Sequence, residues 1–339
     1  MARLQNPFVL LLVLMTLPMT TFSQNDASKI LKTGSIEVKD ESLHQVINTQ
    51  AKIEILAEGH DWSEGPLWLE AMQSLIYSDV PRNKVYAWNE KEGSKIYLEP
   101  SGFNGEDFSG SEPGSNGLTL SSEGQLVLCQ HGNRAISVML APLEKPQASY
   151  APLAQRYKGK RFNSPNDLVF DSAGNLYFTD PPYGLPKGME DPEKEIDFQG
   201  VYRVTPSGET SLLTDKLSRP NGLALSPDEK TLYVANSDPK KAIWMAYTLD
   251  ENGRISGEEL FFDATARVSK EKGLPDGLKV DKAGNVFATG PGGVWILSPE
   301  GKHLGTIKTG EATANCAFNA DNTVLFMTAD SYLLRVRLK

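Results

Sequence analysis

Cysteine is nearly absent from this sequence, which holds only Cys129 and Cys316 among its 339 residues. Two cysteines cannot build a cysteine-based zinc site. An oxidising compartment would permit a disulfide between them. However, the internal repeat described below assigns them to blades that are not neighbours. The sequence therefore predicts two free, buried thiols.

Concentrated positive charge is also missing. The chain has 34 Lys and Arg against 43 Asp and Glu, a formal net charge of −9, and the basic residues form no cluster. Phosphate binding needs a concentrated basic face, so a nucleic-acid partner is excluded. With 40% hydrophobic and 23% charged residues, the composition is that of an ordinary globular protein. An acidic chain of this kind suits a cation or a neutral small molecule.

Long hydrophobic runs are absent apart from one at the start. Arg3 precedes the apolar run 8–17, and Thr21–Ser23 supplies small residues for cleavage. This order is typical of a secretory signal, and the run is too short for a confident membrane span. We therefore expect a signal peptide over 1–23, a periplasmic or secreted protein, and no membrane association after cleavage. A buried N-terminal strand or an uncleaved anchor is the alternative.

Helical periodicity is nearly absent, and a repeat takes its place. A polar residue and a small residue open a short apolar strand, a turn rich in Asp, Gly, Ser and Asn follows, and a second strand is rich in β-branched and aromatic residues. The pattern recurs every 39 to 55 residues, which suits four-stranded blades. The six opening positions, called the lead residues below, are Glu64, Asn116, Asn166, Asn221, Asp276 and Asn315. The sequence predicts an all-β fold, a six-bladed β-propeller over 51–339, preceded by an N-terminal extension over 24–50.

The last copy of the repeat ends after its third strand, near 333–338. The apolar segment 51–56 lies just before the first copy and could supply the missing outer strand. Pairing the two ends of the chain would close the ring without an exposed edge.

All six lead residues carry a side-chain oxygen. In a propeller the first strand of each blade lines the central channel, so equivalent positions should converge at its mouth. Carboxylates, amide carbonyls and waters are the ligands of calcium, whereas zinc and copper favour His and Cys. Asn and Asp before Gly also form turns, which is the competing explanation. Glu64 has no such role in turns, so the set favours a divalent cation, Ca²⁺ above others.

Four motifs, each of which opens one copy of the repeat, resemble one family. They are Ser63-Glu64-Gly65-Pro66, Ser164-Pro165-Asn166-Asp167, Arg219-Pro220-Asn221-Gly222-Leu223 and Leu274-Pro275-Asp276-Gly277-Leu278. Together they are similar to the senescence marker protein (regucalcin) and gluconolactonase family over nearly all of 53–339. The segments 130–134 and 178–185 look like its bacterial gluconolactonase branch.

The resemblance implies a calcium-type metal held by Glu64, Asn221 and Asp276, with Asn166 at or beside the metal and in contact with the substrate. One departure stands out, because an Arg of regucalcin-like members near this Asn is replaced by Ser164. We therefore expect the substrate to be held differently.

The family also implies hydrolysis of a lactone such as a sugar-acid lactone. This reaction needs a polarised carbonyl and a water activated by a general base. Asp276 is the first candidate for the base, as both metal ligand and proton acceptor. Asp167 and His131 are the alternatives.

Substrate contacts are expected from Asn116, Asn166 and Tyr183. Tyr183 lies in a long insert, 182–199, that is rich in Pro, Gly and acidic residues. Long loops in compact domains are often lids, and a solvated loop is the other interpretation.

Two other functions stay open at this stage. One is a paraoxonase-like esterase acting on other lactones or aryl esters, because paraoxonases share the propeller and a similar metal ring. The other is a propeller that binds calcium without catalysis, because a fold does not fix a function. A serine hydrolase is improbable, since no Gly-x-Ser-x-Gly turn joins a strand to a helix. The oligomeric state is left undetermined.

Overall fold

The structure is a computed structural model that describes Met1 and residues 32–339. Apart from Met1, the predicted signal peptide 1–23 lies outside the described residues. In the described part, strands dominate, with one short α-helix and three 3₁₀ helices at Glu70–Met72, Gly188–Glu190 and Thr265–Arg267. No helix in that part is long and apolar enough to cross a membrane.

The first described elements are short. They are β1 (Lys32–Thr33), β2 (Ser35–Val38), α1 (Leu43–Val46) and β3 (Ile53–Ala57). Next come the first three blades, each an antiparallel sheet of four strands in chain order. Blade 1 comprises β4 (Ser63–Leu69), β5 (Ser74–Asp79), β6 (Lys84–Asn89) and β7 (Gly93–Leu98). Blade 2 comprises β8 (Ser115–Leu120), β9 (Leu126–Gln130), β10 (Ala135–Met139) and β11 (Tyr150–Ala154). After a small hairpin of β12 (Arg156–Tyr157) and β13 (Lys160–Arg161), blade 3 comprises β14 (Leu168–Phe170), β15 (Leu176–Asp180), β16 (Gly200–Val204) and β17 (Thr210–Thr214).

The second half continues in the same way. Blade 4 comprises β18 (Pro220–Leu225), β19 (Thr231–Asp238), β20 (Lys241–Leu249) and β21 (Ile255–Asp263). Blade 5 is built on β22 (Leu278–Val280), β23 (Val286–Gly290), β24 (Gly293–Leu297) and β25 (His303–Lys308). Blade 6 is built on β26 (Thr313–Phe318), β27 (Val324–Ala329) and β28 (Tyr332–Arg337). The predicted six-bladed β-propeller is confirmed.

Burial explains why the second strand of each copy is so apolar. All residues of β5, β9, β15, β23 and β27 are buried. These strands lie inside their blades, and each blade packs face to face on two neighbours, so both faces of the strand meet apolar side chains. The outermost strands, such as β7 and β21, have partly exposed patterns. Both cysteines are buried and free, as predicted, Cys129 in blade 2 and Cys316 in blade 6.

The ring closes through the N-terminal part of the chain. β3 pairs antiparallel with β28 and forms the outer strand of blade 6. Arg335 of β28 bonds both Glu54 of β3 and Glu90 of blade 1, so the outer strand is tied to the neighbouring blade as well.

Residues 32–50 are not a separate extension. β2 pairs with β25 as a fifth strand of blade 5, and β1 pairs with β3 in blade 6. Leu43 and Ile47 are fully buried in the core that blades 5 and 6 share. The sequence pattern missed this because two short strands and one helical turn carry no repeat of their own.

Glycine after a lead residue has a packing role. A Cβ on Gly222 would lie 2.3 Å from the carbonyl oxygen of Asp276 in the next blade. A Cβ on Gly277 would lie 2.0 Å from the side chain of Asn315, again one blade further on. Neither glycine has a positive φ. These glycines therefore let neighbouring first strands approach each other closely around the axis, and a turn preference does not explain them.

We predict that Gly222→Ala destabilises the propeller, because the added methyl must push two first strands apart. Overpacking of this kind costs about 1–3 kcal/mol of unfolding free energy. Gly257→Ala, in the outer strand of the same blade, is the matched control, since its Cβ would meet only Thr248 at an ordinary 3.4 Å. Urea denaturation of both variants measures the difference. Equal unfolding free energies would contradict the packing role of Gly222.

Candidate functional site

A cavity of about 430 Å³ lies at one end of the propeller axis. Residues from all six blades line it, because the starts of the first strands and the loops between blades meet there. The sequence-predicted residues on its wall are Glu64, Asn116, Asn166, Asn221, Asp276 and Tyr183. Five of the six lead residues are thus brought together in one cavity.

The sixth lead residue, Asn315, does not line the cavity. Its Nδ2 lies 3.4 Å from Oδ2 of Asp167, which belongs to the opposite blade, and its Oδ1 lies 3.4 Å from Lys279 Nζ. In blade 3 the residue after the lead is Asp167, where other blades have a small residue, so a side chain enters the channel and pairs with Asn315. The expectation of six lead residues at one mouth is therefore corrected to five.

Three polar side chains fix the backbone just before the lead residues of blades 1, 3 and 4. Each lies within the last three residues of the second strand and accepts a hydrogen bond from the backbone N–H two residues before the lead. The distances are 3.3 Å from Trp62 N to Asp79 Oδ1, 2.8 Å from Ser164 N to Asp180 Oδ1 and 2.8 Å from Arg219 N to Asn236 Oδ1. Sequence reasoning missed these residues, although an Asp or Asn at the end of the second strand recurs in blades 1, 3 and 4 and could have marked them.

Hydroxyl groups fix the lead residues of alternate blades. Ser78 donates to the carbonyl oxygen of Asn116 at 2.9 Å, and Thr179 donates to that of Asn221 at 2.6 Å. Thr289 makes the corresponding bond to Ala314, next to Asn315, at 3.0 Å. In each case a second strand holds the first strand of the following blade. The positions of the lead residues around the axis are therefore set by bonds between blades.

The two carboxylates among the lead residues, Glu64 and Asp276, form no salt bridge with another described residue. Burial, with the nearby Asp167 charge, raises the pKa of Glu64 to about 8, against the effect of a 3.1 Å hydrogen bond from Gly65 N. Burial and then the Glu64 charge raise the pKa of Asp276 well above its ordinary value. Among the described residues that line the cavity, Arg219 is the only cationic side chain. A bound cation between the carboxylates would relieve this cost.

Two side-chain oxygen atoms of the lead residues are left without hydrogen-bond partners. Asn116 Oδ1 and Asp276 Oδ1 are buried and accept no hydrogen bond from the part of the chain that the structure describes. A buried acceptor without a donor is costly, so atoms of this kind mark a place for a ligand. A cluster of three His, Cys, Asp or Glu arranged for a metal does not occur within residues 32–339. A metal held by Glu64 and Asp276 would therefore need further ligands, for which the amide oxygens of the other lead residues are available.

Two of the predicted catalytic residues lie off the cavity wall. Asp167 is buried beside Asn315, and its Oδ1 accepts the backbone N–H of Leu168 at 2.9 Å. His131 is fully buried, with its Nδ1 3.0 Å from Oε2 of Glu112. The cavity wall thus carries Asp276 alone of the three candidates for the base.

Ser164 fixes a turn beside the cavity. Its hydroxyl donates to Pro181 O at 2.6 Å and accepts from Gly184 N at 2.9 Å. These bonds fix the turn that carries Tyr183, which is half-buried in the cavity wall and whose pKa is raised by burial. Ser164 therefore supports Tyr183 as a residue of the cavity wall.

The rest of the insert 182–199 is anchored. Arg134 donates to Glu193 O at 3.0 Å, and Ile196 is buried in the core of blades 2 and 3. The insert therefore contributes a wall to the cavity, with its second half fixed to the propeller.

Sequence reasoning also missed cavity residues that come from loops. They include Trp62, Glu112, Arg219, Ser237 and Glu271. Arg219 could have been found, because it stands two residues before its lead, as Ser164 does one blade earlier. Glu112 belongs to a loop between blades that carries no repeat signal.

Comparisons with known proteins agree with this architecture. The model of the family described as "SMP-30/Gluconolactonase/LRE-like region" matches residues 62–331. The chain is 40% identical over 312 residues to a gluconolactonase of Zymomonas mobilis, covering 90% of this chain and 86% of that protein. It is 28% identical over 286 residues to regucalcin of Sus scrofa, covering 82% and 86%.

A solved structure gives the same result. A gluconolactonase of Xanthomonas campestris superposes with a TM-score of 0.78 at 30% sequence identity, covering 93% of this chain and 99% of that one. Because the family model spans most of the propeller and a relative is 40% identical over 90% of the chain, this protein belongs to the SMP-30/gluconolactonase/LRE-like family.

Proposed function

We propose that this protein is a metal-dependent lactonase that opens a sugar-acid lactone such as gluconolactone. The observation that carries the proposal is the convergence of five oxygen-bearing lead residues in one cavity at the propeller axis. The relatives named gluconolactonase, one at 40% and one at 30% identity, support this substrate class. A cavity of about 430 Å³ suits a molecule of this size.

The cavity residues fit a divalent cation of the calcium type. Glu64, Asn221 and Asp276 would hold it, with Asn166 as a further ligand. The unpartnered Oδ1 of Asp276 and the raised pKa values of both carboxyls support this assignment, because a dication favours the ionised forms. Two carboxylates with amide oxygens are a hard-ligand set typical of Ca²⁺. A relative described as a calcium-binding regucalcin has the same fold.

The chain's own residues then have separate roles. When bound, a divalent cation supplies Lewis-acid polarisation of the lactone carbonyl. Asp276 accepts a proton from the attacking water, whose oxygen bonds to the carbonyl carbon. The bond from that carbon to the ring oxygen breaks, and the proton passes to the ring oxygen to give the hydroxy acid. Asn116, Asn166 and Tyr183 orient the substrate from the cavity wall.

Asp276 is preferred as the base for a geometric reason. Asp167 accepts a hydrogen bond from Leu168 N with one oxygen and lies beside Asn315 in the channel. His131 is separated from the cavity by Glu112. A base must reach the water that it deprotonates, and only Asp276 of the three lines the cavity.

Export follows as a separate proposal. The segment 1–23 supports a periplasmic or secreted protein, since it has the order of a secretory signal. Expression of the full chain and N-terminal sequencing of the product test this, with cleavage after Ser23 as the expected result. An intact Met1 on the exported protein would contradict it.

We predict that removing divalent metal abolishes hydrolysis. Dialysis against a calcium chelator should lower the rate of gluconolactone opening to the uncatalysed rate, and added Ca²⁺ should restore it. Calcium at about 100 times its Kd should also stabilise the fold by about 2.7 kcal/mol, measured by denaturation. A non-catalytic calcium-binding propeller would show the stabilisation without the rate. An unchanged rate after chelation excludes the metal-dependent mechanism.

We predict that Asp276→Asn lowers kcat by about 10²–10⁴-fold, because the amide cannot accept the water proton. Asp197→Asn is the matched control, since that side chain is 92% exposed and distant from the cavity wall. Steady-state kinetics at saturating Ca²⁺ measure the change. If Asp276→Asn keeps the kcat of the control while Asp167→Asn loses it, the base is Asp167.

A substrate panel separates the lactonase from a paraoxonase-like esterase. We expect faster turnover of gluconolactone than of an aryl ester such as phenyl acetate, because the cavity wall is rich in polar side chains that match hydroxyl groups. The reverse preference would favour the esterase.

A further inference from the structure

Glu112 is a further carboxylate of the cavity, and neither the repeat nor the family motifs point to it. It lies in the loop between β7 and β8, lines the cavity, and keeps 31% of its side chain exposed. Its charge contributes to the raised pKa values of Glu64 and Asp276, so it lies within electrostatic reach of both. Glu112 is nevertheless not one of the lead residues.

A buried histidine holds this carboxylate in place. His131 Nδ1 lies 3.0 Å from Glu112 Oε2, and the His131 side chain is fully buried. In the tautomer with Nδ1 protonated, the imidazole donates this hydrogen bond to the carboxylate oxygen. A histidine N–H to a carboxylate is a charge-assisted hydrogen bond, among the stronger side-chain contacts.

The backbone around His131 is fixed on both sides. His131 N donates to Gly114 O at 3.0 Å, two residues after Glu112. On the other side Gly184 packs so closely that an added Cβ would lie 2.6 Å from His131 Cβ. His131 therefore sits between the loop that carries Glu112 and the turn that carries Tyr183, and it links the two walls of the cavity.

One nitrogen of this histidine is unused. His131 Nε2 is buried and has no hydrogen-bond partner among residues 32–339. Among the described residues, the His131 side chain thus makes a single hydrogen bond, to Glu112. Its contribution is to orient the carboxylate.

The free oxygen of Glu112 can accept a hydrogen bond from a hydroxyl group of a substrate. Oε1 of Glu112 makes no hydrogen bond within the described chain, whereas Oε2 is held by His131. The hydroxyl groups of a sugar-acid lactone are donors that a carboxylate accepts. A site built to bond a hydroxyl discriminates against a substrate that lacks it, because the acceptor is covered by the bound substrate and then left unpaired.

We propose that Glu112 selects hydroxylated lactones by accepting a hydrogen bond from a ring hydroxyl, and that His131 is its positioning residue. The proposal rests on the lactonase function above and assigns the residue that sets its substrate class. It also gives His131 a role different from that of a general base.

The test compares two lactones with the same six-membered ring. Gluconolactone carries hydroxyl groups, and δ-valerolactone carries none. Glu112→Gln should lower kcat/KM for gluconolactone about 10–100-fold, the usual effect of losing a hydrogen bond to a charged group. We expect the loss as a raised KM with little change in kcat, because the bond holds the substrate without taking part in the reaction. Turnover of δ-valerolactone should stay within about twofold.

Matched variants separate positioning from folding. Glu106→Gln, an exposed residue of the same loop, removes the same charge and should leave both substrates unchanged. His131→Ala should raise KM for gluconolactone. His131→Asn, whose amide N–H can replace Nδ1, should restore most of the affinity. Thermal denaturation of all four variants checks that they fold.

The outcomes are distinct. A wild type that opens neither lactone above the uncatalysed rate overturns the proposed function, and with it this inference. An active wild type in which Glu112→Gln loses both lactones equally, or loses kcat alone, overturns the inference and leaves the lactonase standing. Equal KM values for His131→Ala and His131→Asn would remove the positioning role of His131.

Discussion

The close approach of six first strands around one axis is the constraint on which the rest of the structure depends. Side chains separated by about 50 residues in the sequence can share a site only if their backbones meet at the centre. Glycines such as Gly222 and Gly277 permit this approach, because a Cβ would overlap the next blade. Hydroxyl bonds from Ser78, Thr179 and Thr289 then hold alternate first strands in place. The ring pairs β3 with β28, so no blade is left with a free side at the seam.

This geometry carries an electrostatic cost, on which the proposed function also depends. Glu64 and Asp276 are brought into one cavity, where burial and mutual repulsion favour their protonated forms. Arg219 alone supplies a positive side chain on the described cavity wall. A site of this kind gains most from a dication, because the cation compensates two buried charges at once. Stability and ligand binding are therefore coupled at the same residues.

The axis is divided into two layers with different chemistry. At the mouth, five lead residues face the cavity, and two of them, Asn116 and Asp276, have an oxygen atom without a partner among the described residues. Deeper in the channel, Asp167 and Asn315 pair across the axis, with Lys279 beside them. In the deeper layer, the side chains of Asp167 and Asn315 bond to each other, and this bond connects two opposite blades. The loops between blades add the outer wall, where Glu112, Tyr183 and Arg219 differ in origin from the lead residues.

The sequence by itself determined the number of blades, the positions of their strands and the residues that open them. These are local properties, since each blade repeats one pattern of apolar strands and polar turns. It also identified Glu64, Asn221 and Asp276 through motifs that stand at one phase of the repeat. Tertiary structure alone decided that Asn315 leaves the cavity, that His131 stands behind Glu112, and that β2 and α1 cover blades 5 and 6. The physical reason is that these features depend on contacts between segments without a common period, and only the closed ring brings such segments together.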